Sequence, residues 1–255
     1  MRTTQDAEDL RRPRELSVLV AADAHGASVA IAECDRSLSA GGHTLIHETP
    51  SPELLFRSDG EAFRMALFDA ARRVAAELRY AGLLEVVFHI DPAGLSWVAD
   101  VKIGLPRHHT LIEMVTGTDL VALQLQIASG EAIPEELEAI QPRGHALDAS
   151  ILALDQADSP VSSYSVAPAP QGRVRATSSA TVGLSLPADD RPLIAKVTTH
   201  APIRHRALLS MDRMLAEMRA EPFTTNVPTL RRILADYAFR AGQYDSESAA
   251  RFATA

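Results

Sequence analysis

The sequence predicts an α+β fold, and three observations carry that prediction. Strand-like runs come in adjacent pairs, at 15–22 with 27–33 and at 84–91 with 95–101. A single long amphipathic stretch, 61–80, separates the pairs. Helices and strands then follow a mixed order, without the regular alternation of a parallel-sheet protein.

Taken in order, residues 1–14 are charged and are expected to be flexible. ELSVLVAA (15–22) and ASVAIAE (27–33) are joined by DAHG, a hairpin signal. SPELL (51–55) starts a helix, with Ser51 as cap and Pro52 in the first turn. From 61 to 80, Phe63, Leu67, Ala71, Val74 and Leu78 make one apolar stripe, and Gly82 is expected to end the helix. LEVVFHID (84–91) and LSWVADV (95–101) form two strands around PAG. Asp119 to Ala128 is a short helix stopped by Ser129-Gly130. Residues 155–172, rich in Ser, Ala and Pro, predict an irregular connection. Strand-like segments follow at 173–186 and 192–199. Two helices close the chain, one striped by Leu208, Met211, Leu215 and Met218, the other marked by Leu230, Ile233 and Leu234 after Pro228.

The bulk properties narrow the function. The 255 residues carry a net charge of -8, which gives no general attraction to nucleic acid or anionic membrane. No apolar run approaches the roughly 20 residues of a membrane helix, and the first residues lack an apolar signal core. Cys34 is the single cysteine, so neither an intrachain disulfide nor a thiolate cluster is available. A cytoplasmic protein is expected. No GxGxxG or GxxxxGK[ST] phosphate loop is present.

EMVTGTDLVALQLQIASGEAIP (113–134) is very similar to a stretch of the biotin carboxylases and of the matching part of acetyl-, propionyl- and pyruvate carboxylases. RGHALDASI (143–151), IAKV (194–197), TNVPTLRRIL (225–234) and FRAGQYDS (239–246) follow in the family's order. Upstream, VLVAADAHG, ECDRSL and HETPSP also resemble family segments. The resemblance runs from about residue 12 to the end of the chain. It implies the rear half of an ATP-grasp domain, expected at 15–134, followed by a biotin carboxylase C-terminal domain at 135–255. The family's N-terminal Rossmann-like domain and Gly-rich ATP lid have no counterpart in this sequence.

The resemblance also marks where site residues differ. The family holds Mg²⁺ with a Glu on one strand and an EMN on the next. Here Val87 stands at the first Glu, and the second motif reads Ala99-Asp100-Val101-Lys102. The family's R-x-Q-V-E-H-P, which holds bicarbonate and supplies the general base, becomes Gly104-Leu105-Pro106-Arg107-His108-His109. Its QRRHQK becomes SAGGHT, with Ser39, Gly42 and Thr44 at the Gln, His and Lys. Arg175 matches the Arg that faces the biotin and bicarbonate pocket. Arg204 matches a family Arg at the dimer interface.

Alternate residues of a strand pair share a face. A face carrying 87 and 100 therefore also carries Glu85, His89, Val98 and Lys102, with His43, His108 and Arg175 at its border and Trp97 nearby. Such a group can do acid–base work: His89 or His108 as base, Asp100 as its orienter, Lys102 or Arg175 as anion holder. Arg175, Glu85, His43 and Trp97 are the candidate ligand contacts. No cofactor is expected, and no metal site, since His43-x3-His47 is a poor ligand motif.

Each residue also has a structural reading. His89 can be a hydrogen-bonded strand residue, and His108-His109 a solvated loop. Asp100 and Lys102 can form an ion pair. Cys34 and Trp97 can sit in the core, and His145 in the GHA turn can be structural.

Two functions follow. One is a repurposed fold that binds or transforms a small acyl or polyketide-like molecule without ATP, in specialised metabolism. The other is a non-catalytic accessory subunit paired with a carboxylase, as homodimer or heteromer. Half of a split carboxylase is a third, weaker possibility.

Overall fold

The computed structural model describes residues 13–155, 160–165, 173–178 and 192–252. The expected α+β class is what it shows. Eight antiparallel strands form one sheet in the order β5-β4-β1-β2-β3-β6-β9-β8, with a two-stranded β10-β7 ribbon beside it.

The strands are β1 (Arg14–Ala22), β2 (Ser28–Ala40), β3 (His43–Thr49), β4 (Gly82–Ile90), β5 (Ser96–Ile103), β6 (His145–Leu152), β7 (Ser163–Ser165), β8 (Arg173–Ser178), β9 (Leu193–Ala201) and β10 (Arg219–Glu221). The helices are α1 (Pro52–Phe56), α2 (Gly60–Leu78), α3 (His109–Thr116), α4 (Leu120–Ala128), α5 (Arg204–Glu217), α6 (Val227–Ala235) and α7 (Tyr237–Arg240). A 3-10 turn covers Glu135–Ala139.

Local chemistry sets several boundaries. The Ser51 hydroxyl accepts from Glu53 N at 3.2 Å and starts α1 before Pro52. The Asp119 carboxylate accepts from Ala122 N at 2.8 Å and starts α4. Helix α2 ends on Arg79 in the left-handed conformation, φ 50°. Gly82, expected as the stop, instead opens β4. The α2 stripe is shifted from expectation as well: Leu67, Ala71 and Ala75 are buried, while Leu78 is half exposed.

The sheet is covered on both faces. Even-numbered β1 residues Leu16, Val18 and Val20 meet Leu84, Val86 and Phe88 under α2. Odd-numbered Leu19 and Ala21 meet Leu83 and Ile112 under α4. Further along the same face, α3 packs Leu111, Met114 and Val115 on Cys34 and Ala146. The largest core joins Leu147, Ala149, Ile151 and Val197 to α5 and α6.

Two expectations need revision. Pro13 and Arg14 do not belong to the flexible start: Arg14 is buried in β1 and donates to the carbonyls of Gly242 and Tyr244. Trp97 is half buried and lies outside the core clusters. Residues 179–186, expected to be strand-like, lie outside the described residues, as do 1–12 and part of 155–172.

Candidate functional site

The β4–β5 pairing sets which residues face the site. Glu85 stands opposite Lys102, Val87 opposite Asp100, and His89 opposite Trp97. The register shifts between Val87 and Phe88, so Ala99 is an extra residue on β5. That bulge corrects the expected face. Val98 pairs with Phe88 on the opposite side, and Trp97 takes its place beside His89, ring centroids 5.7 Å apart.

The same face continues across the sheet. His89 stands opposite Glu15, with His89 Nε2 3.3 Å from the Glu15 carboxylate. Further along, His47, Asp148, Thr198 and Arg175 stand opposite one another on β3, β6, β9 and β8. Arg36 of β2, between the two groups, lies 3.7 Å from Glu15 and 3.4 Å from Glu85.

A cleft of about 500 Å³ opens on this face beside α3. Its walls include Arg36, His43, His47, Glu85, Lys102, Arg107, His108, Asp148 and Lys196. The loop between β5 and α3 closes one side and delivers His108. Gly104 makes this possible: its φ is +97°, a region that side chains rarely adopt, although a Cβ there would meet nothing within 4 Å. The loop then turns on Pro106, whose carbonyl accepts from His109 N and His109 Nδ1, both at 3.0 Å.

His108 is buried. Its ring stacks on His47 with centroids 4.4 Å apart and planes 23° apart, and its Nε2 lies 3.4 Å from the buried Glu85 carboxylate. Burial lowers the His108 pKa. Glu85 opposes this, and Arg36, Lys196 and His109 reinforce it, leaving His108 at about 4. His47 is pushed well below its usual value, first by burial and then by His108 and nearby cations. Both rings are therefore neutral at physiological pH. Asp148 is fully buried, and burial raises its pKa against the pull of Lys196 and of the Thr198 hydroxyl, which donates to Oδ1 at 2.6 Å.

The candidate residues divide accordingly. Glu85, Lys102, His43 and His108 line the cleft. Asp100 does not: it is exposed and its carboxylate accepts from its own neighbour, Val101 N, at 2.8 Å. It cannot orient a histidine from there; the carboxylate beside His108 is Glu85. No ion pair joins Asp100 to Lys102 among the described residues. His89 and Trp97 sit along the same face but outside the cleft wall. Arg175 is held by Glu113 Oε2 at 2.6 Å, while the other Glu113 oxygen accepts from Leu120 N at the start of α4.

Arg204, expected at a dimer contact, engages its guanidinium within the chain. It binds Glu48 at 2.8 and 3.0 Å and the carbonyls of Phe239 and Arg240. The structural reading of His145 matches its place, buried against Glu48 at 2.7 Å. Cys34 is buried in the α3 core.

Arg36, Asp148 and Lys196 were not among the sequence candidates. A signal was available: each is a charged residue on a strand whose neighbours are apolar or buried, in CDRSL, LDASI and IAKV.

Comparison with known proteins places this geometry. Residues 7–136 match the family described as "Carbamoyl-phosphate synthase L chain, ATP binding domain", and residues 159–250 match "Biotin carboxylase C-terminal domain". The alpha subunit of methylcrotonoyl-CoA carboxylase from Rattus norvegicus is 32% identical over 241 residues, covering 92% of this chain and 33% of the relative. A biotin carboxylase from Halalkalibacterium halodurans is 29% identical over 240 residues, covering 92% and 51%. The biotin carboxylase domain dimer of the Hydrogenobacter thermophilus 2-oxoglutarate carboxylase, solved with MgADP, ADP and bicarbonate, superposes with a TM-score of 0.84 at 25% identity, covering 95% of this chain and 54% of that one. The chain thus spans about a third to a half of the length of these curated relatives.

Proposed function

Given that this chain belongs to the biotin carboxylase family, we propose that it does not run ATP-driven carboxylation and uses the cleft beside α3 to bind a small organic anion, of the acyl or polyketide-like carboxylic acid class. The observation that carries this reading is the lining of the cleft. Arg36, Lys102, Arg107 and Lys196 bring four cations to one concave surface, against the two carboxylates Glu85 and Asp148. Preorganised cations in a partly water-excluded cleft favour an anionic guest.

The residues present do not fit a magnesium–nucleotide site. The ammonium-bearing Lys102 faces Glu85 across the strand pair. Glu85 is already shared between Arg36 and His108. Asp100 points to its own backbone. Among the described residues no group of three or more His, Cys, Asp or Glu side chains could hold a metal ion. No step through ATP or Mg²⁺ is therefore assigned to this chain.

If the cleft also performs chemistry, its base is His108 or His47. Both are neutral, both have a lone pair to offer, and Glu85 is placed to stabilise a proton taken up by His108. The balance of charge suits proton transfer on a bound acid, with Lys102 and Lys196 holding its carboxylate.

A second reading has its own support. Strand β5 is the sheet edge, and Leu95, Ile103 and Leu105 on and around it are 65%, 64% and 37% exposed. Such an edge suits contact with another polypeptide, as expected for an accessory subunit in a homodimer or with a carboxylase partner.

Calorimetric titration with short carboxylic acids tests the first reading. Saturable binding that weakens several-fold in Lys196→Ala is expected. Heats that are unsaturable, or unchanged in that variant, would overturn it.

A further inference from the structure

We propose that the inner wall of the cleft, formed by Asp148 and Lys196, selects a small carboxylic acid that also carries a hydroxyl or amino group close to its carboxylate. This rests on the anion-binding reading above and adds the ligand's second functional group.

The inference comes from polar atoms left without partners. Asp148 has no exposed surface. One of its oxygens takes the Thr198 hydroxyl at 2.6 Å, and Thr198 lies 3.4 Å from the Thr110 hydroxyl. The other oxygen, Oδ2, has no hydrogen-bond partner. Three further atoms of the lining residues have no hydrogen bond: the acceptor Glu85 Oε1, whose Arg36 and His108 neighbours stand at 3.4 Å, His47 Nδ1, and the donor Arg36 Nε, which has the Glu15 carboxylate at 3.7 Å. A buried acceptor without a donor costs about 1–3 kcal/mol, more when it is charged. A simple anion cannot relieve that cost, because it brings only acceptors. A hydroxyl or ammonium can.

The register supplies the spacing. Asp148 stands opposite Thr198 and Ser150 opposite Lys196, so Asp148 and Lys196 are diagonal neighbours on one face. Such diagonals are about 7–8 Å apart at their Cα atoms. The Lys196 ammonium donates to the Arg107 carbonyl, which holds it against the loop that closes the cleft. A donor group placed on Asp148 Oδ2 therefore lies within a few bonds of a carboxylate placed at Lys196. That is the geometry of a short hydroxy or amino acid.

Lactate, pyruvate and propionate share a chain length and a carboxylate. They differ in offering a donor, an acceptor or neither. Titrated into the whole chain at neutral pH, lactate is expected to bind about 10-fold or more tighter than propionate, the factor that a hydrogen bond to a charged group supplies, with pyruvate weakest. In Asp148→Asn the amide oxygen can still take the Thr198 hydroxyl, so the amide N–H₂ turns to the cleft and the order reverses, pyruvate above lactate. Equal binding of all three to the wild type would overturn this inference and leave the anion-binding reading standing. Failure of all three to bind would overturn both. A thermal melt checks that Asp148→Asn is folded, and the wild-type ranking decides the matter if it is not.

Discussion

The imidazole of His108 lies flat on that of His47, ring centroids 4.4 Å apart, with Glu85 at 3.4 Å from its Nε2. Burial is the first cause of both depressed pKa values; His108 and nearby cations add to it at His47, and Arg36, Lys196 and His109 add to it at His108. His108 binds its proton near pH 4 when folded and near 6.5 when unfolded. The unfolded chain therefore holds more protons between these values, and stability rises with pH across the window. Thermal melts of the wild type are expected to fall steeply from pH 7 to pH 5. In His108→Gln the fall is shallower, because one of the two titrating rings is gone. Parallel curves would show that the stack does not govern this dependence.

Glu48 works in the opposite range. Burial alone would raise its pKa, but the His145 hydrogen bond and the Arg204 guanidinium outweigh burial and bring it to about 2. Its contribution is present above pH 4.5 and is lost as pH falls toward 2. Glu48→Gln leaves Arg204 without its counter-charge beside His145 and Tyr244. A loss of about 3–5 kcal/mol is expected in denaturant unfolding, as for other broken buried pairs.

Gly104 takes a conformation that suits glycine. Placing the family's arginine there, as Gly104→Arg, is expected to cost about 1–3 kcal/mol of stability and to displace the loop that carries His108. Urea unfolding measures the cost. An unchanged midpoint would show that the loop accommodates the side chain.

Lys102 lines the cleft and Asp100 does not. Lys102→Ala is expected to weaken binding of short acids by about 5-fold, the effect of one screened charge. Asp100→Ala should leave both binding and stability within about 0.5 kcal/mol. Calorimetry of the two variants side by side checks the assignment of the wall.

Much of the fold was legible in the sequence. The β1–β2 and β4–β5 hairpins, the Ser51 cap, the helix beginning at Asp119 and the α5 stripe all follow from periodicity and capping chemistry. Strands β3 and β6 and helix α3 were not singled out. β3 mixes His, Thr and Glu, and its polar side chains are buried against other strands, so no simple alternation marks it. The site was legible only in part. Glu85, Lys102, His43 and His108 could be placed from strand alternation and loop position. Val98 could not, because one extra residue at Ala99 changes the face beyond it, and Asp100 keeps its expected place opposite Val87 but misses the cleft wall because its carboxylate turns to Val101 N. Asp148 and Lys196 come from strands distant in sequence, and only the β6–β9 register brings them together.

One calorimetric experiment bears on the central proposal most directly: titration of the chain with MgATP, and then of the same sample with short carboxylic acids. The cleft described above predicts no Mg²⁺-dependent ATP binding and a saturable response to the acids. Saturable ATP binding that requires Mg²⁺, with no response to the acids, would contradict the account and return the chain to nucleotide-dependent chemistry.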